Sequence, residues 1–327
     1  MAFRKPRENK IGGKFLVEGL THEGKSWFGL TFPKIGAIDS EAGLAFEEGK
    51  DIEINGKKYN NLKFVDTTSD LDTLEEDLDA IMDGEIEIET LLIDSETKFY
   101  NTIDIGATEV EERKARANGK NLDARSKWGR VKNIVMKLQQ AKITLSAQGK
   151  HVVSTAQAKE ITDDKTQKVI GYKPDVHKSL PFDYDVILRF FAETDKKTNE
   201  RKFYAEVLKD RTHVTKVGDI IENCTYDVWK PYFDKRNQTG SKLETNFSKD
   251  LNNSISGVLN RAEQSEQLAK EFRKLVTSEE LKGESEKQQL IKNKLKELKI
   301  EVKNIELTDS KILQELISYI KNFNIKI

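Results

Sequence analysis

Gly19-Leu20-Thr21-His22-Glu23-Gly24-Lys25-Ser26 decides how the rest of this chain is read. Glycine, four residues, then Gly-Lys-Ser is the spacing of a phosphate-cradling loop. Phe15-Leu16-Val17 before it reads as a buried strand, and Ser26 to Leu30 can open a helix. The chemistry needs this order: glycines let backbone N–H groups close around phosphates, and the helix start adds positive potential. Lys25 would reach the outer phosphates, and the Ser26 hydroxyl would hold Mg²⁺. With Trp27, which follows, these eight residues form the expected cofactor-binding set.

Outward from the loop, short apolar runs alternate with helical patterns, the signature of a mainly parallel sheet with helices on both faces. Ile35 to Asp39, Leu62 to Val65, Leu91 to Asp94 and His151 to Ala156 read as strands. Ser69 to Asp83 carries Leu71, Leu74, Leu78 and Ile81 at helical spacing, with Ser69 as the expected cap. Glu109 to Ser126 has little apolar content and is expected to be a mobile segment or an exposed helix, after which Trp128 to Leu145 resumes a helical period. Asp185 to Glu193 and Arg201 to Leu208 alternate as strands around an exposed hairpin tip.

The expected organisation is a basic, poorly ordered lead-in over residues 1–12, a core over 13–232, a linker over 233–250 and a helical region over 251–327. Net charge is −1, with 55 basic and 56 acidic side chains, so any surface that attracts nucleic acid must be a local patch or arise on assembly. Cys224 is the one cysteine, which excludes a disulfide within the chain and a cysteine-based metal site and points to a reducing cytosol. No apolar run approaches membrane-spanning length, and the basic start lacks the apolar stretch of a signal peptide. A soluble cytoplasmic protein is expected.

Hydrolysis at a phosphate loop needs a metal partner, a base for the attacking water and charge stabilisation on the γ-phosphate. Leu91-Leu92-Ile93-Asp94 is an apolar strand ending in an acid, which makes Asp94 the second metal anchor beside Ser26. Ile38-Asp39-Ser40-Glu41 ends another strand, where carboxylates point into the ligand crevice. Glu41 is the first candidate for the base, and Asp39 competes with it. Gln157 closes the His151–Ala156 strand and is placed to sense the γ-phosphate. Lys209 and Arg211 are one residue apart on extended chain and can point the same way, as a finger pair for an adjacent subunit. An ordinary charged loop is the alternative for that pair.

Together this order resembles the RecA-type ATPase core, and most closely the phage-encoded RecA-like nucleotide-binding proteins of the Sak type. The resemblance rests on Thr31-Phe32-Pro33 with Ile38-Asp39-Ser40-Glu41-Ala42-Gly43, on Val153 to Gln157, and on Asp185 to Arg189 running to Lys209-Asp210-Arg211. It covers roughly residues 13–232. It implies an α/β RecA-type core with a mainly parallel sheet flanked by helices, here followed by an α-helical C-terminal tail. It further implies homo-oligomers with ATP and Mg²⁺ at subunit interfaces, acting on single-stranded DNA in annealing or strand exchange in a phage's bacterial host. The loop departs from relatives at Leu20 to Glu23, and Glu23 beside the phosphates would lower ATP affinity.

The mobile DNA-binding loops of RecA-type proteins follow the Asp94 strand, so Arg113, Lys114, Arg116 and Lys120, extended by Arg125, Lys127 and Arg130, are candidate DNA contacts. Trp128 would stack on a base or belong to the core. Two alternatives to annealing remain open. One is a helicase or helicase loader on the same core. The other is a nucleotide-binding interaction module with little turnover, whose helical tail recruits a replication or recombination protein.

Overall fold

The computed structural model describes residues 3–119, 121–196, 198–281 and 283–323. The chain divides into two compact units, Met1–Ser248 and Lys249–Ile327. The first is built on strands β1 (Asn9–Lys10), β2 (Lys14–Gly19), β3 (Ile35–Asp39), β4 (Ile52–Ile54), β5 (Lys57–Tyr59), β6 (Leu62–Asp66) and β7 (Thr90–Asp94). They are followed by β8 (His151–Thr162), β9 (Val169–Pro174), β10 (Val186–Thr194), β11 (Arg201–Asp210), β12 (Ile220–Glu222) and β13 (Ser241–Lys242). Its helices are α1 (Lys25–Leu30), α2 (Leu71–Asp83), α3 (Glu96–Asn118), α4 (Ala124–Ala147), α5 (Leu180–Asp183) and α6 (Lys230–Thr239).

The main sheet has nine strands in the order β12-β11-β10-β2-β8-β7-β3-β6, with β9 paired to the outer part of β8. From β10 through β6 every pairing is parallel, while β11, β12 and β9 join antiparallel. The loop strand β2 therefore lies between β10 and β8, with β7 and β3 beyond. The expected α/β class stands.

The central strands are apolar throughout because both of their faces are covered. Alternation sorts the side chains: Phe15, Val17, Leu92 and Val153 join one core, while Leu91, Ile93 and Val152 join the other. The first core is aromatic, with Phe15 edge-on to Phe32 at 5.0 Å and to Trp229 at 5.5 Å between ring centroids. The second packs α2, α3 and α4 through Leu74, Leu78, Phe99, Ile103, Val131 and Val135. The neutral ring of His151 lies buried at the seam. Its Nδ1 accepts from the Gly13 N–H at 3.0 Å, so Nε2 carries the proton towards the Tyr226 hydroxyl 3.0 Å away.

Three expectations change, and one that was left open is decided. The cap of α2 is Asp70, whose carboxylate accepts from the Thr73 N–H at 2.9 Å, rather than Ser69. Of the two readings of 109–126, the exposed helix holds: its described residues complete α3 as far as Asn118 and begin α4 at Ala124, with Asp123 as the cap. Residues 233–250 are no linker. Phe233, 1% exposed, anchors α6 in the aromatic core, and β13 follows. The described part of the lead-in is docked, because β1 pairs in parallel with β13 and the Gly12 N–H donates to the Ser146 carbonyl at 2.8 Å.

The second unit has its own core, formed by α7 (Phe247–Val276), which begins at the end of the first unit, with α8 (Ser285–Glu297) and α9 (Ser310–Lys321). Ala269, Phe272, Leu275, Ile291, Leu295, Leu316 and Ile320 are buried there. The helical C-terminal region is present as expected.

Candidate nucleotide site

The loop between β2 and α1 follows from its two glycines. A Cβ at Gly19 would lie 2.7 Å from the Phe190 carbonyl oxygen, and Gly24 takes φ 96°, the left-handed region that glycine enters without strain. α1 then starts at Lys25, and its first-turn N–H groups have no carbonyl behind them. Gly29 lets α1 press onto the sheet, where a Cβ would meet the Leu92 side chain at 2.6 Å.

Two side chains fill the loop from within. The Glu23 carboxylate accepts from the Leu20 N–H, and Lys25 Nζ donates to the Leu20 carbonyl at 2.6 Å. Burial holds the Lys25 ammonium below its usual pKa, against the pull of Glu23, Asp94 and Glu41. A half-buried ammonium, short of water, is suited to the charge of a phosphate.

β7 delivers Asp94 beside the loop, where its carboxylate accepts from the Ser26 and Thr155 hydroxyls. Burial pushes the Asp94 carboxyl up despite those donors, and Glu41 and Asp39 add to the rise. A divalent cation would reverse that shift. Ser26 and Asp94 offer the hard oxygen donors that Mg²⁺ takes, so the residues fit the metal. Among the described residues no group of three His, Cys, Asp or Glu forms a metal cluster of its own.

Glu41 and Asp39 divide their work. Asp39 is fully buried and accepts from the Glu41 N–H at 3.0 Å and the Leu44 N–H at 2.8 Å, so it shapes the turn. Glu41 Oε1 accepts from the Ser95 hydroxyl at 2.8 Å and from Gln157 Nε2 at 3.1 Å. Gln157 is held in turn through its backbone N–H, which donates to Thr97 Oγ1 at 3.0 Å. Register sets Gly19 opposite Gln157 and Asp39 opposite Asp94, so β2, β8, β7 and β3 bring these groups to one end of the sheet. Sequence reading passed over Ser95, Thr97 and Thr155. The available signal was their position, hydroxyls one to three residues from the acids and amide at strand ends.

The remaining candidates lie elsewhere. Lys209 and Arg211 both reach the Phe182 carbonyl, at 3.2 and 3.1 Å, so they do point the same way. Lys209 is level with Ile187 and Leu16, and the Arg211 N–H donates to the Asp185 carbonyl, towards the base of the sheet and away from this chain's own loop. The basic residues of the α3–α4 hairpin are mostly paired: Arg113 with Glu109, Arg116 with Glu112, Lys114 and Arg130 with Glu111, and Lys127 with Asp104. Arg125 is exposed, and Lys120 lies outside the described residues. Trp128 is half exposed, with Lys127 Nζ 4.8 Å from its ring centroid, so it is not a core residue. Trp27 is also exposed, on the first turn of α1.

A loop of this geometry, with a serine and an acid at its edge and a carboxylate beside a glutamine, defines the class of P-loop nucleoside triphosphatases. The chain belongs to the AAA domain family, whose model matches residues 12–218. Among solved structures, the flagellar accessory protein FlaH from Methanocaldococcus jannaschii is similar at 14% identity. The likeness covers 65% of this chain and 85% of that one, with a TM-score of 0.34. No curated protein matches the chain. No described helix is long and apolar enough to cross a membrane.

Proposed function

We propose that this P-loop protein is an ATP- and Mg²⁺-dependent RecA-like ATPase acting on single-stranded DNA in annealing or strand exchange, in recombination or replication of the phage type. The observation that supports turnover, rather than binding alone, is the Glu41 carboxylate held between Ser95 and Gln157 at the loop's end of the sheet. The backbone of Gly19 to Ser26 would bind the phosphates and Lys25 would neutralise the outer ones. Ser26 and Asp94 would hold Mg²⁺, which draws charge from the β- and γ-oxygens. Glu41 accepts the proton of the attacking water. Gln157, already bonded to Glu41, reports the state of the γ-phosphate along β8.

Lys209 and Arg211 act in trans on a neighbour's triphosphate in a homo-oligomer. Their place towards the base of the sheet favours a neighbour's nucleotide over their own. The helices of the second unit are a candidate docking element for a replication or recombination protein.

ATP hydrolysis with and without single-stranded DNA, in the wild type and in Glu41→Gln, tests the reading. Turnover stimulated by DNA and abolished by the substitution supports it. Nucleotide binding without turnover in either protein overturns it in favour of a non-hydrolysing module, and processive unwinding of a forked duplex would place the core in a helicase.

A further inference from the structure

The α3–α4 hairpin carries many cations but compensates most of them internally. The docked arm before β2 does the reverse. Arg4, Lys5, Arg7 and Lys10 are exposed, and Glu8 is the one acid among residues 3–10. The Glu8 carboxylate is turned to the Thr239 hydroxyl at 2.8 Å, and none of the four cations has an ion-pair partner among the described residues.

The arm's pairing raises the charge further. Register sets Lys10 directly opposite Lys242 across the parallel β1–β13 ladder, so the two ammonium stems leave the same face. Like charges directly opposite destabilise a strand pair. Arg7 adds a third cation, because its guanidinium donates to the Lys242 carbonyl at 3.3 Å. A Cβ at Gly240 would lie 2.5 Å from the Lys10 backbone nitrogen, so glycine lets the arm meet β13 there, and the Lys10 stem runs over Gly149. Phe3, 96% exposed, ends the strip with a free aromatic face. An anion bridging the two stems would offset like charges set opposite each other.

We propose that Arg4, Lys5, Arg7, Lys10 and Lys242 form a phosphate-binding strip for single-stranded nucleic acid, with Phe3 offered to a base for stacking. The inference rests on the single-strand reading above and places the contact on the arm rather than on the helical hairpin. Spaced cations track a phosphate backbone, and an aromatic face stacks on any base without regard to sequence. The site lies at the start of β2, the end of that strand away from the phosphate loop, so its loss leaves the nucleotide residues untouched.

The test is fluorescence anisotropy of the full chain with a labelled oligothymidine over a salt series. The wild type is compared with Arg4→Gln/Lys5→Gln/Arg7→Gln/Lys10→Gln and with Lys242→Glu. Single strands give a slope of about −0.7 per neutralised phosphate in log affinity against log salt. The quadruple variant is expected to lose roughly three from that slope and at least ten-fold in affinity, with basal ATP turnover unchanged. Lys242→Glu is expected to raise the melting temperature by pairing with Lys10 while weakening oligonucleotide binding. A purely structural arm would not produce that opposition. Unchanged slope and affinity in both variants overturns the strip and leaves the single-strand reading standing. A wild type that binds no oligonucleotide at all overturns both.

Discussion

Gln157 Nε2 donates to Glu41 Oε1 across 3.1 Å, although the two residues are 116 positions apart in sequence. The bond ties a carboxylate at the end of β3 to an amide on β8, and Ser95 holds the same oxygen from the end of β7. Glu41→Gln should therefore lower kcat by about 10²–10⁴ while nucleotide affinity stays within a few-fold, the signature of a lost general base. Gln157→Ala should reduce kcat less, and single-turnover kinetics with a binding titration separate the two.

Glu23 occupies its own loop. Its carboxylate takes the Leu20 N–H and sits beside Lys25, where a phosphate would otherwise be the acceptor. Glu23→Gln removes a negative charge from that position and is expected to tighten ATP binding by about 1 kcal/mol, roughly five-fold in Kd. Isothermal titration with a non-hydrolysable analogue checks the sign, and unchanged or weaker binding would show that Glu23 does not compete.

His151 predicts a pH dependence of stability. Burial pushes its imidazole down to about 4, from 6.5 for the free group. The unfolded chain therefore binds the extra proton first as pH falls. Stability from this ring is complete above about 6.5 and is lost between about 6.5 and 4, by about 3 kcal/mol. Denaturant titrations at pH 7.5 and 4.5 should show the advantage of wild type over His151→Gln shrinking in acid. Asp77, raised to about 6 chiefly by burial, acts in the opposite direction and is common to both proteins.

Lys142 and Glu96 form an ion pair of 2.6 Å with both side chains buried. Lys142→Met strands a carboxylate in the core and should cost about 3–5 kcal/mol. Adding Glu96→Gln should return most of that loss. Chemical denaturation of the two variants measures the difference.

The sequence shows the site more plainly than its surroundings, for a physical reason. Phe15 to Val17, Ile35 to Asp39 and Leu91 to Asp94 are buried on both faces, so they read as unbroken apolar runs that stop at a glycine or an acid. The end of α3 is ambiguous in sequence between helix and mobile segment, because its outer turns rely on pairs four residues apart, such as Arg113 with Glu109, instead of an apolar stripe. β8 runs to Thr162, well beyond the apolar part that ends at Ala156, because β9 supplies its later pairing partners from a segment with little burial. α6 leaves no apolar pattern in the sequence because Phe233 alone among its residues is buried. The hydroxyls of Ser95, Thr97 and Thr155 gain their roles only when parallel strands bring them together.

The pairing of Asn9 with Ser241 has a topological consequence. Segments close to the start and to the end of the first unit's polypeptide are thus neighbours. A short bridge from Lys242 back to Asn9, with the backbone cut in the turn between Thr194 and Arg201, would give a circular permutant. Every ladder of the nine-stranded sheet would be kept in that molecule, and the connection between β10 and β11 would become its two new ends.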